Sequence, residues 1–250
     1  MVRICQKSLN MNSITPELNL MIKACEKASK TLIRDFGEIE KLQVSVKGPS
    51  DFVTNADFKV EKIIINELSK SKKKYLLITE ESGIIDNENK NGCWIIDPID
   101  GTTNFLHGIP HFAISIALMI KNEIVSGIIY DPIKSEMFYA EKNSGAYLNN
   151  KRIRVSKKNK IEQCLFATGG KKEIKTKLNI RKSGSAALDL AYIAAGRYDG
   201  YFQNELHLWD VAAGLILVRE SGGKINDIDL SQNENIKIYA SNNSIHEKML

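Results

Sequence analysis

"WIIDPIDGTTNF", residues 94–105, decides how this chain is read. Trp94, Ile95 and Ile96 run straight into Asp97, and a Pro-Ile step separates that acid from Asp100. A short apolar run stopped by turn formers reads as a buried strand. Strand ends in layered α/β sheets are where ligands tend to bind. Two carboxylates three apart around a turn can aim at one point, and leaving them close and unneutralised is costly, so a cation is their natural partner. All-oxygen donors with no adjacent His or Cys select a hard ion, Mg²⁺ before zinc. Gly101 lets the chain bend, and the N–H groups of Gly101 and Thr102 at a helix start can receive a phosphate. Carboxylates, metal, amide donors and a hydroxyl together describe a phosphoryl-transfer site.

The rest of the chain reads outward from this loop. "TPELNLMIKACEKASKTLIRDFG" is an amphipathic helix with Thr15 as N-cap, Pro16 at its first position and Gly37 at its end. Leu18, Met21, Ile22, Cys25, Leu32 and Ile33 form its stripe. A second helix starts near Thr54 and carries Val60, Ile63, Ile64 and Leu68 on one face. "YLLIT" and "CWII" are buried strands that run into acids. A β-rich stretch over residues 112–155 is an antiparallel meander with Lys-Asn, Asp-Pro and Asn-Asn turns. Strand and helix then alternate through "CLFAT", "SAALDLAYIAAG", "YDGYFQ", "WDVAAGLILVRESGG" and "IKIYAS". The expected architecture is α+β, with sheets sandwiched between helix layers. It forms one domain over 1–250: an extension over 1–12, an α+β half over 13–155 and an α/β half over 156–250.

Composition narrows the class. With 250 residues, 43% of them hydrophobic, the chain can bury a sizeable core. A net charge of +5 is far weaker than the basic face of a dedicated nucleic-acid binder. Cys5, Cys25, Cys93 and Cys164 are scattered, which argues against a zinc site and a disulfide framework and for a reducing cytoplasm. No apolar run approaches the roughly 20 residues of a membrane span. "MVRICQKSLN" has no apolar core, so it is not read as a secretory signal.

Three further acids stand at element ends. Glu80 ends a strand. Asp57, in Thr54-Asn-Ala-Asp57, fits a capping box, and Asp210 fits a first-turn acid favoured by the helix dipole. For these two the local pattern leaves a purely structural role open. His107, His111 and His207 are read as packing or surface residues.

With these residues in view, the chain resembles the inositol monophosphatase family of Mg²⁺-dependent, lithium-sensitive phosphatases, its bacterial members in particular. "DPIDGTTNF" is similar to the family's first signature and "WDVAAGLILVRESGG" to its second. "DFVTNAD", "EES" and "GSAALDL" fall around them in the family's order, so the match spans residues 13–245. The resemblance implies the layered α/β/α/β/α sandwich and a homodimer. It implies that Glu80, Asp97 and the Ile99 carbonyl hold a first Mg²⁺, that Asp97, Asp100 and Asp210 hold a second, and that a third leans on Glu80. Asp57 and Thr102 would orient and deprotonate the attacking water, with the Gly101 and Thr102 amides on the phosphate. Ser185 and Ala186 would lie near the substrate alcohol, beside Asp100 and Asp210.

Two departures bear on specificity. Gln203 stands where inositol-hydrolysing relatives resemble one another in having Glu, and Glu205 stands where glycine is usual. Glu205 could turn inward to replace the missing carboxylate. The segment between "LFATGG" and "RKSGSAAL" is shorter than in relatives. The implied activity is hydrolysis of inositol 1-phosphate and related small phosphate esters. Other substrates of the class are 3′-phosphoadenosine 5′-phosphate, fructose 1,6-bisphosphate and other sugar phosphates. From a different class, bacterial relatives also serve as partners of transcription antitermination, contacting RNA polymerase and Nus factors. The complete acid set favours the enzyme, and the two roles are compatible.

Overall fold

The computed structural model describes residues 14–38, 44–48, 51–87, 89–170 and 178–249. The expected extension over 1–12 and residues 171–177 of the short segment lie outside them. The elements are α1 (Pro16–Phe36), β1 (Val44–Gly48), β2 (Asp51–Thr54), α2 (Asn55–Leu68), β3 (Tyr75–Thr79), β4 (Gly83–Ile85), β5 (Asn89–Asp100), α3 (Thr102–Leu106), β6 (Ala113–Ile120), β7 (Glu123–Asp131), β8 (Glu136–Glu141), β9 (Gly145–Leu148) and β10 (Lys151–Arg152). They continue with β11 (Leu165–Ala167), β12 (Asn179–Arg181), α4 (Ala186–Ala194), β13 (Gly200–Leu206), α5 (Leu208–Glu220), β14 (Gly223–Ile225), β15 (Ile236–Asn242) and α6 (His246–Met249).

Thr15 caps α1 as expected, its hydroxyl accepting from the Leu18 N–H at 3.2 Å. Leu18, Met21, Ile22, Cys25 and Leu32 are buried, but Ile33 is 45% exposed. Ile33 falls at the edge of the stripe at 100° per residue, and Ala28 and Ser29 complete the buried face instead. The α2 face carries Val60, Ile64 and Leu68 as read, with Ile63 only half-buried. It also buries Asp57, Glu61 and Glu67, which an apolar pattern does not reveal.

Eight strands form a sheet in the order β10-β9-β8-β7-β6-β5-β3-β4, and five form a second in the order β12-β11-β13-β15-β14. The large sheet is antiparallel apart from the β3–β5 pair. In the small sheet β11 runs parallel to both neighbours. The meander turns at Lys121-Asn122 and Asn149-Asn150 have positive φ at both residues, the geometry of tight two-residue hairpins. The strand expected over 151–156 shrinks to Lys151–Arg152, and β9 takes its place beside β8.

Side-chain alternation on β5 and β6 assigns the two faces of the large sheet. Trp94, Ile96, Ile114, Ile116 and Leu118 pack on α1 and α2. Ile95, Ala113 and Ala117 turn to the opposite face, into a core shared by α4, α5 and the small sheet. The outer face of the small sheet buries Cys164, Phe166 and Ile245. The result is the expected α+β sandwich. Among the described residues its last helical layer is thin, built from α6 and a 3₁₀ turn at Ile161–Gln163.

The helix α5 lies in the middle layer, and Val211 through Val218 are all buried. A helix apolar all round belongs inside a protein. It comes close to the sheet because small residues face it. A Cβ on Gly127 of β7 would stand 2.7 Å from Ile216 Cγ2 and 3.0 Å from Ala213 Cα. Gly127→Ala is therefore expected to destabilise by about 1–3 kcal/mol through overpacking. In a thermal melt that is a fall of several degrees for a chain of this size. An unchanged melting temperature would show that α5 can move off the sheet freely.

Candidate active site

The two acids of the opening loop flank a break in the β5–β6 ladder. Asp97 pairs with Ser115 and Asp100 with Ala113, and the register shifts between them. Gly101 then sits at φ +96°, and a Cβ there would stand 3.1 Å from the His111 carbonyl and 3.2 Å from that of Gly184. Only glycine suits both the left-handed backbone and the tight space. Thr102 begins α3, and its hydroxyl donates to the Ile99 carbonyl at 2.8 Å. Asn104, which the sequence reading passed over, is buried and donates to the carbonyls of His111 at 2.8 Å and Ser183 at 2.9 Å. It ties the loop to the approach of α4.

Asp100 is held by α4. Its carboxylate accepts from the Ser185 hydroxyl, from the Ala186 N–H at 3.1 Å and from the Ala187 N–H at 3.0 Å. A helix start leaves its first amides without intrahelical partners, and a carboxylate satisfies them. Ser185 and Ala186, expected beside the substrate alcohol, are thus placed against Asp100. Asp57 is buried in the first turn of α2. Glu80 follows β3, where its N–H donates to the Ile96 carbonyl at 3.2 Å. Asp210 is in the first turn of α5, and one oxygen accepts the His207 N–H at 2.7 Å. The His207 ring stacks on Trp209, with centroids 4.6 Å apart.

These carboxylates feel one another. Burial pushes Glu80 up to about 8, helped by the negative charges of Asp57 and Asp210, while a hydrogen bond with Asp97 opposes the rise. Asp97 is raised well above the usual carboxylate range, by burial first and then by Glu80, Asp100 and Asp210. Burial pushes Asp100 up to about 7, against the Ser185 hydrogen bond, with Asp210 adding to the rise. One oxygen of Asp97, Oδ1, is buried with no hydrogen-bond partner. An orphaned carboxylate oxygen among repelling carboxylates fits a hard divalent cation. Among the described residues no three acid, histidine or cysteine side chains are already closed round a single point. Glu80 and Asp97 bond each other, Asp100 bonds α4, and Asp210 bonds its own helix start, so ligation requires these side chains to turn.

Beside the acids lies a second set of polar groups. Tyr201 is fully buried, and its hydroxyl donates to Gln203 Oε1 at 2.7 Å. Burial raises the tyrosine well above its usual range, followed by the negative charges of Asp189, Asp100 and Asp210, which places the ring near the acid cluster. Gln203 is thus linked by one hydrogen bond to a tyrosine that feels the acids. Glu205 is exposed at φ +60° in the bulge between Gln203 and Leu206, so it does not turn inward. Asp189, buried in the first turn of α4, accepts the Ser183 hydroxyl at 2.7 Å. It escaped the sequence reading because an acid in a helical first turn needs no further explanation.

A sandwich of two sheets and three helical layers, with acids from α2, β3, β5 and α5 gathered at element ends, has the form of the sugar phosphatases. The chain belongs to the inositol monophosphatase family, whose sequence model matches residues 14–250. It is 44% identical over 250 residues to an inositol-1-monophosphatase of Mesorhizobium japonicum, covering 93% of this chain and 94% of the relative. It is 40% identical over 252 residues to the Nus factor SuhB of Escherichia coli K12, covering 94% of each. Among solved structures it is similar to the extragenic suppressor protein SuhB of Bartonella henselae, at 45% identity and a TM-score of 0.87, covering 93% of this chain and 96% of that one.

The raised carboxylates carry a pH dependence. Where an acid's folded value exceeds its unfolded one, the native state holds more protons, and stability falls as pH rises. With Glu80 at about 8 and Asp100 at about 7, this loss runs from near pH 4 to about pH 8. In a chelator the melting temperature is expected to fall between pH 6 and 8.5. Asp97→Asn, which removes one titrating carboxyl from the cluster, should raise it at pH 8 and flatten the slope. A melting temperature that climbs with pH in the chelator would contradict the clustering of these acids.

Proposed function

We propose that this chain is a Mg²⁺-dependent phosphomonoesterase that hydrolyses inositol 1-phosphate and related small polyol and sugar phosphates by attack of an activated water. The observation that carries the reading is the partnerless Oδ1 of Asp97, buried among Glu80, Asp100 and Asp210. Glu80, Asp97, the Ile99 carbonyl, Asp100 and Asp210 would hold two to three Mg²⁺ ions. When bound, Mg²⁺ supplies positive charge to the phosphate oxygens and the attacking water.

The chain's own groups do the rest. The Gly101 and Thr102 amides at the start of α3 receive phosphate oxygens. The Thr102 hydroxyl spends its hydrogen on Ile99, so its lone pairs accept a hydrogen of the water. Asp57 takes the proton as the water oxygen bonds to phosphorus. The bond from phosphorus to the ester oxygen breaks, the leaving alkoxide takes a proton from solvent water, and Asp57 returns its proton to solvent. Ser185, Ala186 and Ala187 act on the substrate through Asp100, which they orient. A homodimer in a reducing compartment is part of this reading. Three buried free cysteines, Cys25, Cys93 and Cys164, suit such a compartment.

A second role has its own support, the 40% identity to a Nus factor across 94% of both chains. Binding to RNA polymerase and Nus factors is compatible with catalysis and does not call for all five acids. Pulldown with the Asp97→Asn protein separates the two.

Hydrolysis of inositol 1-phosphate is expected to require Mg²⁺ and to be inhibited by Li⁺. Asp97→Asn should lose nearly all turnover, and full turnover in EDTA or in that variant would refute the mechanism.

Specificity follows from Gln203. Its carbonyl oxygen accepts the Tyr201 hydroxyl, and a neutral amide offers a substrate hydroxyl no charged acceptor. A charge-assisted hydrogen bond is worth about 1.5–3 kcal/mol, on the order of ten- to a hundred-fold in selectivity. Broad hydrolysis is expected, with no strong preference for inositol 1-phosphate over glycerol 2-phosphate or sugar and nucleotide phosphates. Gln203→Glu should raise kcat/KM for inositol 1-phosphate relative to the others. A wild-type protein already strongly selective for inositol phosphate would refute this account of Gln203.

A further inference from the structure

Glu61 is a buried acid that the proposed reaction does not use. It lies one helical turn after Asp57 on α2 and is 1% exposed. Its carboxylate accepts the Glu81 N–H at 2.9 Å and the Ser82 hydroxyl. These are the two residues directly after Glu80. The same turn is pinned from inside. Thr79 Oγ1 accepts the Ser82 N–H at 3.2 Å and donates to the Gly83 carbonyl at 3.1 Å. The Glu80 N–H is fixed on the Ile96 carbonyl of β5 at 3.2 Å. The turn that carries Glu80 is thus gripped by β5 at one end and by α2 at the other.

Both carboxylate oxygens of Glu61 are engaged by the turn that follows Glu80. Glu61 spends its carboxylate on two donors, the condition under which a buried acid is tolerated. Residues four apart share one helix face and stand about 6 Å apart along its axis. One rigid helix therefore carries Asp57 in its first turn and the clamp on the Glu80 turn in its second. Any shift of α2 moves both together.

We propose that Glu61 is a positioning residue that sets Glu80 relative to Asp57 and thereby fixes the affinity of the site for its divalent cation. The proposal rests on the reading of Glu80 as a metal ligand. A glutamine at 61 keeps the size and one acceptor but turns an NH₂ group toward donors, so the clamp loosens without leaving a cavity. Groups that orient metal ligands typically change metal affinity by about 10–100-fold when removed.

The test is direct Mn²⁺ binding, read from the loss of the free-ion electron paramagnetic resonance signal, on wild type, Glu61→Gln and Ser82→Ala. Melting temperatures in chelator report on folding. The expected result is Mn²⁺ binding at least 10-fold weaker in Glu61→Gln and several-fold weaker in Ser82→Ala. Turnover at saturating Mg²⁺ should stay within a few-fold of wild type. Mn²⁺ affinity within twofold of wild type in a folded Glu61→Gln protein overturns the proposal, whatever its melting temperature. If Glu61→Gln does not fold, Ser82→Ala decides by the same twofold criterion. Wild-type protein that binds no Mn²⁺ overturns the metal reading itself, and this proposal with it.

Discussion

Asp100 joins the two sheets of the molecule. It ends β5 in the large sheet, and the start of α4, which packs between the sheets, closes on its carboxylate through one hydroxyl and two amides. Without those donors a carboxylate this deeply buried would be expensive. With them, the acid loop of one half is fixed against the other half, and the site becomes a property of the whole sandwich. Asn104 repeats the link a few residues on, by bonding the Ser183 carbonyl that precedes α4.

The middle layer makes that link rigid. Gly127 lets α5 lie against the large sheet, and Gly214 lets α4 lie against α5, since a Cβ there would meet Leu190. Interiors packed this closely transmit displacement rather than absorb it. Asp210 rides on the first turn of α5, so the packing that seats α5 also sets the distance between Asp210 and the acids of β5. The core and the acid site are two ends of one arrangement.

The acids are held at a cost. Glu80, Asp97 and Asp100 all titrate above the ordinary carboxylate range, first because they are buried. Strained electrostatics of this kind gather at functional sites, where a ligand of opposite charge relieves them. Glu61, Ser185 and the α4 amides belong to the same economy, because they hold backbone and side chains in place against that repulsion.

The sequence by itself determined the local events. An apolar run ending in two acids is a buried strand meeting a turn, and Thr15-Pro16 before an amphipathic run starts a helix. The glycine at 101 was legible because a sharp bend after a strand needs one. The α+β class followed from alternating periods of two and 3.6 residues. Only the tertiary structure decided which acids come close enough to feel one another. Asp57 looks like a helix cap in its own neighbourhood, and Asp210 does bond its own helix start. Both nonetheless act on Glu80, because the start of α5 is brought from more than a hundred residues away to the ends of α2, β3 and β5. Glu61, Asn104 and Asp189 stayed hidden for the same reason. Each is a polar residue whose partners lie outside its own element, and a pattern read within the element does not record such a contact. Gln203 was legible as a departure, but its bond to Tyr201, two residues back on β13, belongs to the folded strand alone.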